Sequence, residues 1–491
     1  MRKIAIIGSG IGGLVCGNLL ARKGNEVTIF ESHGTPGGYT AGFWREGFYF
    51  ESGTVSLENL EGIKKAMKEI GVLEKLEFVP QRIRWLSRKY DFIPDTFDDI
   101  RKNIINAYPD EKDELVRFFS EIGRMVQGFK DLSKPTSLSG FAAYPLKVAK
   151  TMSMFRKYSQ STLSEFCARF FRKDSDAYRL FIRMGYPEMS ALILAASFFT
   201  ITRDYWTVKT GMQSWADVLA DNFKSLGGEI RLKSMVDAIV TENRIAVGVK
   251  SKGEIFKADY VVSASDYKKT FFNLLDDRSV LPQDFIDRTE KAPVSQAFFT
   301  VYLGLEIPAE ELTVHMKIPH VHYYDYAHDY DIGARNDEKF FEKISPALYS
   351  PSLTNKELAP VGESSLMIQC MCPHRWMDNW GDGDRKIYGE LKKRAARSSI
   401  KKACDIIPDL ERRIIFMDAA TPLTYERFTH NTDGASSAWS WNPHKKYYKN
   451  PIGVTVTTPV KKLLLSSCWT AQIGGIPSAI NAAYKCVKLI K

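Results

Sequence analysis

The stretch Met1-Arg-Lys-Ile-Ala-Ile-Ile-Gly-Ser-Gly-Ile-Gly-Gly13, followed by Val27-Thr-Ile-Phe-Glu31, reads as strand, glycine turn, helix, strand, acid. Residues 3–7 form a short, mostly apolar run suited to a buried parallel strand. Residues 14–23 continue with Leu14, Leu19 and Leu20 at helical spacing, and Gly24-Asn25 closes the helix. Gly8 permits the tight turn, Gly10 lets backbone N–H groups approach a diphosphate, and Gly13 lets the helix lie close on the sheet. Glu31 falls at the end of the second strand, about 20 residues past the glycines, where a carboxylate accepts both hydroxyls of an adenosine ribose and disfavours a 2′-phosphate. The pattern predicts an α/β, Rossmann-type domain with a dinucleotide at a positive helix N-terminus.

Length extends this to about two or three domains, since the chain has 491 residues. A hydrophobic share of 44% suits globular packing, and 29 Phe, 22 Tyr and 9 Trp suit either a large core or an apolar ligand cavity. The net charge of +10 favours an anionic surface as partner. Lys and Arg are spread along the chain without a nucleic-acid motif, which places a membrane surface above nucleic acid and ordinary solubility above both. A strand beginning almost at Met1 predicts no signal or transit peptide and a cytoplasmic protein. The longest apolar stretch, 189–201, is too short to span a bilayer. Seven irregularly spaced cysteines make no disulfide framework.

Outward from the first block, 211–266 opens with a helix carrying Met212, Trp215, Val218, Leu219 and Phe223 on one face, then runs through short strands at 229–232, 236–240, 246–250 and 260–264. The C-terminus adds Leu463-Leu-Leu-Ser-Ser as a buried strand, Gly474-Gly475 as a turn and 476–489 as a closing helix. These pieces predict a discontinuous cofactor domain of 1–75, 206–290 and 451–491. The remainder, 76–205 and 291–450, is expected to form an α+β substrate domain, largely helical in 76–205 and membrane-facing there. Thr162-Leu-Ser-Glu165 reads as a capping box ahead of a Leu163, Phe166, Cys167, Phe170, Phe171 core stripe. The segment 146–157 mixes apolar residues with Lys147, Lys150, Arg156 and Lys157, a candidate for resting on anionic lipid, though a solvated helix explains it as well.

Three further patterns invite chemistry. Cys370-Met-Cys372 with His374 resembles part of a metal site, but the alternation over 366–372 reads as a strand with both thiols on one face. His320-Val-His-Tyr-Tyr-Asp-Tyr-Ala-His328 would put two imidazoles on one strand face, yet a tyrosine-rich surface strand accounts for it, and no metal is expected. A Ser-His-Asp hydrolase is disfavoured because no G-x-S-x-G elbow follows a strand.

Gly8 to Gly13, Glu31 and Gly34-Thr-Pro-Gly-Gly-Tyr-Thr-Ala-Gly-Phe-Trp-Arg-Glu-Gly-Phe-Tyr-Phe-Glu-Ser-Gly53 together resemble the N-terminal FAD signature of the phytoene desaturase, carotenoid isomerase and retinol saturase family. The resemblance continues in Gly227-Gly-Glu-Ile-Arg-Leu with Val236, in Tyr349-Ser-Pro-Ser-Leu-Thr, and in Thr421-Pro-Leu-Thr-Tyr-Glu-Arg-Phe-Thr429 with Gly434. It implies FAD, with Gly8, Gly10, Ile11, Gly12 and Gly13 at the phosphate turn and Glu31 on the ribose. It implies Gly37, Gly38, Tyr39 and Thr40 beside the diphosphate, Val236 on the adenine, and Trp469, Gly475 and Ile476 toward the isoalloxazine. Gln472 and Ile473 depart from the family's proline and glycine near that ring.

The resemblance further implies desaturation, saturation or cis-trans isomerisation of a long hydrophobic isoprenoid, polyene or lipid, since a flavin supplies hydride chemistry that no side chain has. A quinone, oxygen or a separate reductase would exchange the electrons. Glu51, Asp325, Tyr425 and Arg427 are candidates for acid–base work by polarity and family position. Two other readings share the fold: a flavin amine oxidase, and a lipid-binding escort protein that carries prenyl groups without flavin.

Overall fold

The computed structural model describes residues 1–132, 138–324, 335–450 and 453–490, with the backbone alone over 138–143. At its centre β1 (Lys3–Ile7) leads through the glycine turn into α1 (Ile11–Ala21) and back to β2 (Glu26–Phe30). Ile4, Ala5, Ile6 and Ile7 are all buried, as expected of a parallel strand covered on both faces. On one side β1 pairs in parallel with Tyr260–Ser263, which pairs with Leu463–Leu465; on the other it pairs with β2, which pairs with Glu229–Arg231. One five-stranded parallel sheet thus gathers strands from both ends and the middle of the chain.

Helix α1 begins at Ile11, nearly a turn before the expected position, because Gly10 in extended conformation already serves as its N-cap. All of its residues are buried, between the sheet and the helices Met212–Ser225 and Gly475–Leu489. A Cβ on Gly12 would overlap the Ser466 carbonyl oxygen, and one on Gly13 would overlap the Gly8 carbonyl oxygen. These glycines let α1 lie against the sheet and the chain beyond Leu465.

A second, mixed sheet has seven strands in the order Ile414–Ala420, Ala297–Leu305, Ser364–Cys372, Ala347–Tyr349, His320–Tyr323, Arg84–Leu86, Asp91–Phe92. Against it packs a helical layer that includes Phe97–Ala107, Lys112–Asp131, Asp176–Arg183 and Ala191–Ile201, joined by a large aromatic core around Phe118, Phe166 and Phe181. The Thr162–Glu165 capping box forms both of its hydrogen bonds, at 3.1 and 2.8 Å. Its helix stops at Cys167, yet Phe170 and Phe171 still reach the same core.

Two expectations change. The strands Val236–Glu242, Ile245–Ser251 and Glu254–Lys257 form their own antiparallel sheet beside the parallel one. The strand His320–Tyr323 is not at the surface: it lies between Ala347–Tyr349 and Arg84–Leu86, so His320 is 4% exposed. Polarity alone suggested solvent, but the strand's interior place in the sheet overrides it. Among the described residues no helix is long and apolar enough to cross a membrane.

Candidate functional site

A cleft of about 810 Å³ opens at the C-terminal end of β1 and β2. Two helices begin on it. Gly10 caps α1 and Gly474 caps Gly475–Leu489; neither cap has a side-chain hydrogen bond, and neither first turn carries an acid. Each leaves backbone N–H groups without intrahelical partners at a positive dipole end, the arrangement that binds phosphate. Gly10, Ile11, Gly12, Gly475 and Ile476 all line the cleft, and a Cβ on Gly10 would meet nothing within 4 Å, so ligand can reach the backbone there. Gly8, which turns the chain with φ +93°, also lines it, whereas Gly13 packs behind the wall against Gly8 and Ala264.

The loop at 37–40 forms the adjoining wall. Gly37 N–H donates to the Ser9 carbonyl at 3.0 Å, and the Thr40 hydroxyl donates back to the Gly37 carbonyl at 2.7 Å. Tyr39 donates to the Gly434 and Ala435 carbonyls, and burial pushes its phenol well above the usual range, so it stays neutral. Glu31 is held from the glycine turn: one carboxylate oxygen accepts from Ser9 N–H at 2.9 Å and the Ser9 hydroxyl at 2.6 Å, the other from His33 N–H at 2.9 Å and the Ser32 hydroxyl at 3.1 Å. These donors fill the roughly four acceptor positions of a carboxylate, and the two hydroxyls can rotate away to admit a ribose. Over this end, His33 stacks on Phe428 and His430, and His33 Nε2 lies 2.5 Å from the Phe428 carbonyl oxygen.

Val236 and Trp469 also reach the cleft, with the Trp469 indole donating to Asn431 at 3.1 Å. Gln472 turns away as an anchor, donating to the Ser440 carbonyl and accepting from Tyr448 N–H, both at 2.8 Å; Ile473 faces the cleft. The far end is aliphatic. Ile83, Ile193, Ala196 and Ile201 line it, three of them from the helix Ala191–Ile201, which also presents Ser197 and Thr200 to the cleft.

Of the residues proposed from sequence for acid–base work, Glu51, Tyr425 and Arg427 do not line the cleft. Glu51 is buried at 1% exposure, accepting from the Tyr49 hydroxyl at 2.8 Å and Met212 N–H at 3.0 Å, where burial raises its carboxyl to about 8. It ties the hairpin strand Phe48–Glu51 to Met212–Ser225. Tyr425 is buried against Thr300, 2.6 Å between hydroxyls, and stacks on Tyr39. Arg427 is exposed, its guanidinium over Phe428. Asp325 lies outside the described residues.

Sequence reading missed Glu58, Tyr205, Asp266, Lys269 and His322, which the fold brings to the cleft. No motif marks the first four, and the histidine pattern that contains His322 reads as a surface strand. His322 is kept neutral because burial depresses its imidazole to about 4. His374, paired with Glu426 at 3.1 Å, stands apart from the two buried thiols of Cys370 and Cys372.

The profile of flavin-containing amine oxidoreductases matches residues 11–302. The chain is 25% identical to the 4,4′-diapophytoene desaturase (4,4′-diapolycopene-forming) of a Methylomonas species, covering 91% of this chain and 88% of that one. It is 25% identical to the chloroplastic prolycopene isomerase of Daucus carota, over 87% of this chain and 70% of that one. Among solved structures, putrescine oxidase bound to putrescine superposes with a TM-score of 0.64 at 16% identity, covering 100% of this chain and 98% of that one. Cyclohexylamine oxidase from Brevibacterium oxydans gives 0.61 at 13% identity with the same coverage. These two likenesses speak for the fold. The residues present suit FAD: two uncapped helix N-termini, an open glycine and a preset carboxylate share one cleft with an aliphatic extension.

Proposed function

The chain belongs to the flavin-containing amine oxidoreductase family and is an FAD-dependent oxidoreductase; we propose that it introduces, removes or isomerises carbon–carbon double bonds in a long hydrophobic isoprenoid or polyene. The observation that carries this reading is the continuity of the cleft, whose anion-binding end runs into a lobe of Ile83, Ile193, Ala196 and Ile201. The similarity to a carotenoid desaturase and a carotenoid isomerase over most of the chain supports it.

In this reading the N–H groups of Ile11 and Gly12 hold the diphosphate, Gly475 and Ile476 face the isoalloxazine, Glu31 binds the ribose and Val236 the adenine. Gly8, Gly37, Gly38, Tyr39, Thr40 and Trp469 shape the wall, and Gly13 acts through packing. Bound FAD supplies two-electron hydride chemistry. The aliphatic lobe aligns the substrate chain and keeps water away from it, which strengthens every electrostatic interaction inside. Residues 1–75, 206–290 and 451–491 then serve the cofactor, and 76–205 with 291–450 the substrate. A quinone, oxygen or a separate reductase closes the electron balance.

Anaerobic mixing of the holoprotein with carotenoids, retinoids and other polyenes tests this, following flavin absorbance and product mass. Bleaching or reoxidation with a product differing by two hydrogens, or an isomer of equal mass, is expected. Peroxide release with amines and silence with polyenes would favour amine oxidation. We also propose cytoplasmic, peripheral contact with anionic lipid through exposed Lys147, Lys150, Arg156 and Lys157 beside Leu146, itself 77% exposed. Salt-sensitive sedimentation with anionic liposomes, lost when these four charges are neutralised, is the expected result.

A further inference from the structure

Double-bond chemistry moves a proton as well as a hydride, and the carboxyl that would carry it can be found by elimination. Among the described residues the carboxyls lining the cleft are Glu31, Glu58 and Asp266. Glu31 is engaged by Ser9 and His33. Asp266 accepts from Lys269 N–H and Thr432 N–H, each at 2.7 Å, and from the Thr432 hydroxyl at 3.1 Å. Glu58 has a hydrogen bond with its own backbone N–H and no side-chain donor.

The neighbours of Glu58 leave it facing the cleft. Asp204, the like charge beside it, accepts from Asn59 N–H at 2.7 Å, Leu60 N–H at 3.2 Å and the Trp206 indole at 3.0 Å, so it closes the start of the helix Leu60–Ile70. Glu58 Oε1 lies 3.3 Å from where a Cβ on Gly475 would stand, at the first residue of Gly475–Leu489. Tyr205, whose hydroxyl is 3.3 Å from His320 Nδ1, is a further titratable group that feels the Glu58 charge, and it lines the cleft together with Ile83, Ile193 and Ile201. Glu58 therefore occupies the junction between the anion-binding end and the apolar end.

We propose that Glu58 is the ionising group beside the flavin ring and the residue that takes the proton from the substrate, or returns it. The assignment of substrate chemistry rests on the double-bond reading above. In the desaturating direction one C–H bond breaks as hydride, its electron pair going to the oxidised flavin. The C–H bond on the adjacent carbon breaks with its proton passing to a Glu58 carboxylate oxygen, and its electron pair becomes the new π bond. Saturation runs in reverse, with the proton from neutral Glu58 and the hydride from reduced flavin. Burial and the Asp204 charge both disfavour the carboxylate and raise Glu58 to about 7, near the operating pH at which proton transfer in either direction is most efficient.

The test begins without substrate. Visible absorbance of the FAD-loaded protein is titrated across neutrality for wild type, Glu58→Gln and Glu58→Asp. A transition near pH 7 in wild type, kept in shifted form by Glu58→Asp and absent from Glu58→Gln, is expected. An unchanged transition in Glu58→Gln, or none in wild type, overturns the inference. With a reactive polyene, Glu58→Gln should slow flavin reduction or reoxidation by about 10²–10⁴-fold at unchanged FAD content, with partial recovery in Glu58→Asp. An unslowed Glu58→Gln likewise overturns it. If wild-type flavin reacts with no polyene, the double-bond reading falls, while the absorbance titration still decides whether Glu58 ionises beside the ring.

Discussion

Glu51 and Glu58 are both walled in by protein, and hydrogen bonding separates their roles. Glu51 is engaged by Tyr49 and Met212 and does not line the cleft, so its raised affinity for a proton acts on stability and not on a ligand. The folded state binds this proton more tightly than the unfolded chain between pH 4.5 and about 8. Its stabilisation is complete below the lower value and lost as pH rises through the upper one. Glu51→Gln, whose amide can still serve both partners, should therefore gain on wild type as pH rises over that window. The melting temperatures should diverge progressively over that window, at about 1 °C per kcal/mol for a chain of this length. Glu31 differs again, being held charged-side inward by Ser9 and His33. Glu31→Gln should weaken FAD binding about 10- to 100-fold, the worth of hydrogen bonds to a charged acceptor, read by flavin fluorescence.

At the scale of elements, α1 is constrained more by what passes beneath it than by its own propensity. Its Gly12 carbonyl accepts the Ser466 hydroxyl at 2.9 Å, and the Ser466 carbonyl occupies the space of a Gly12 Cβ. Gly12→Ala must push α1 away from the chain that follows Leu463–Leu465. It should cost about 1–3 kcal/mol in denaturant unfolding and reduce FAD content in the same preparation. The glycine spacing announced this helix, since a close approach leaves a compositional mark. The His320–Tyr323 strand had no comparable mark. Two imidazoles and a tyrosine read as a polar surface because their burial comes from strands at 84–86 and 347–349.

Across the whole molecule, the cofactor sheet joins strands from residues 3–30, 229–231, 260–263 and 463–465, and the cleft is lined from the chain that follows them, at 30–31, 235–236, 264–266 and 467–469, and from the helix at 191–201. A ligand bridging such distant segments binds the folded chain alone. FAD should raise the melting temperature progressively with its free concentration, by about 2.7 kcal/mol of stabilisation at a hundredfold excess over Kd. Scanning calorimetry of apoprotein with added FAD checks this, and a concentration-independent midpoint would contradict it. The sequence by itself determined the β1–α1–β2 unit, its glycines and the placing of Glu31, because strand period, turn conformation and helix packing act over neighbouring residues. It also showed the apolar stretch at 189–201. Tertiary structure alone decided that this stretch walls the cleft, that Glu51 and Tyr425 do not line it, and that Glu58 does. A carboxyl's role follows from which donors reach it, and for Glu51 and Glu58 those donors, or their absence, are set by chain brought in from residues 204–212 and 475.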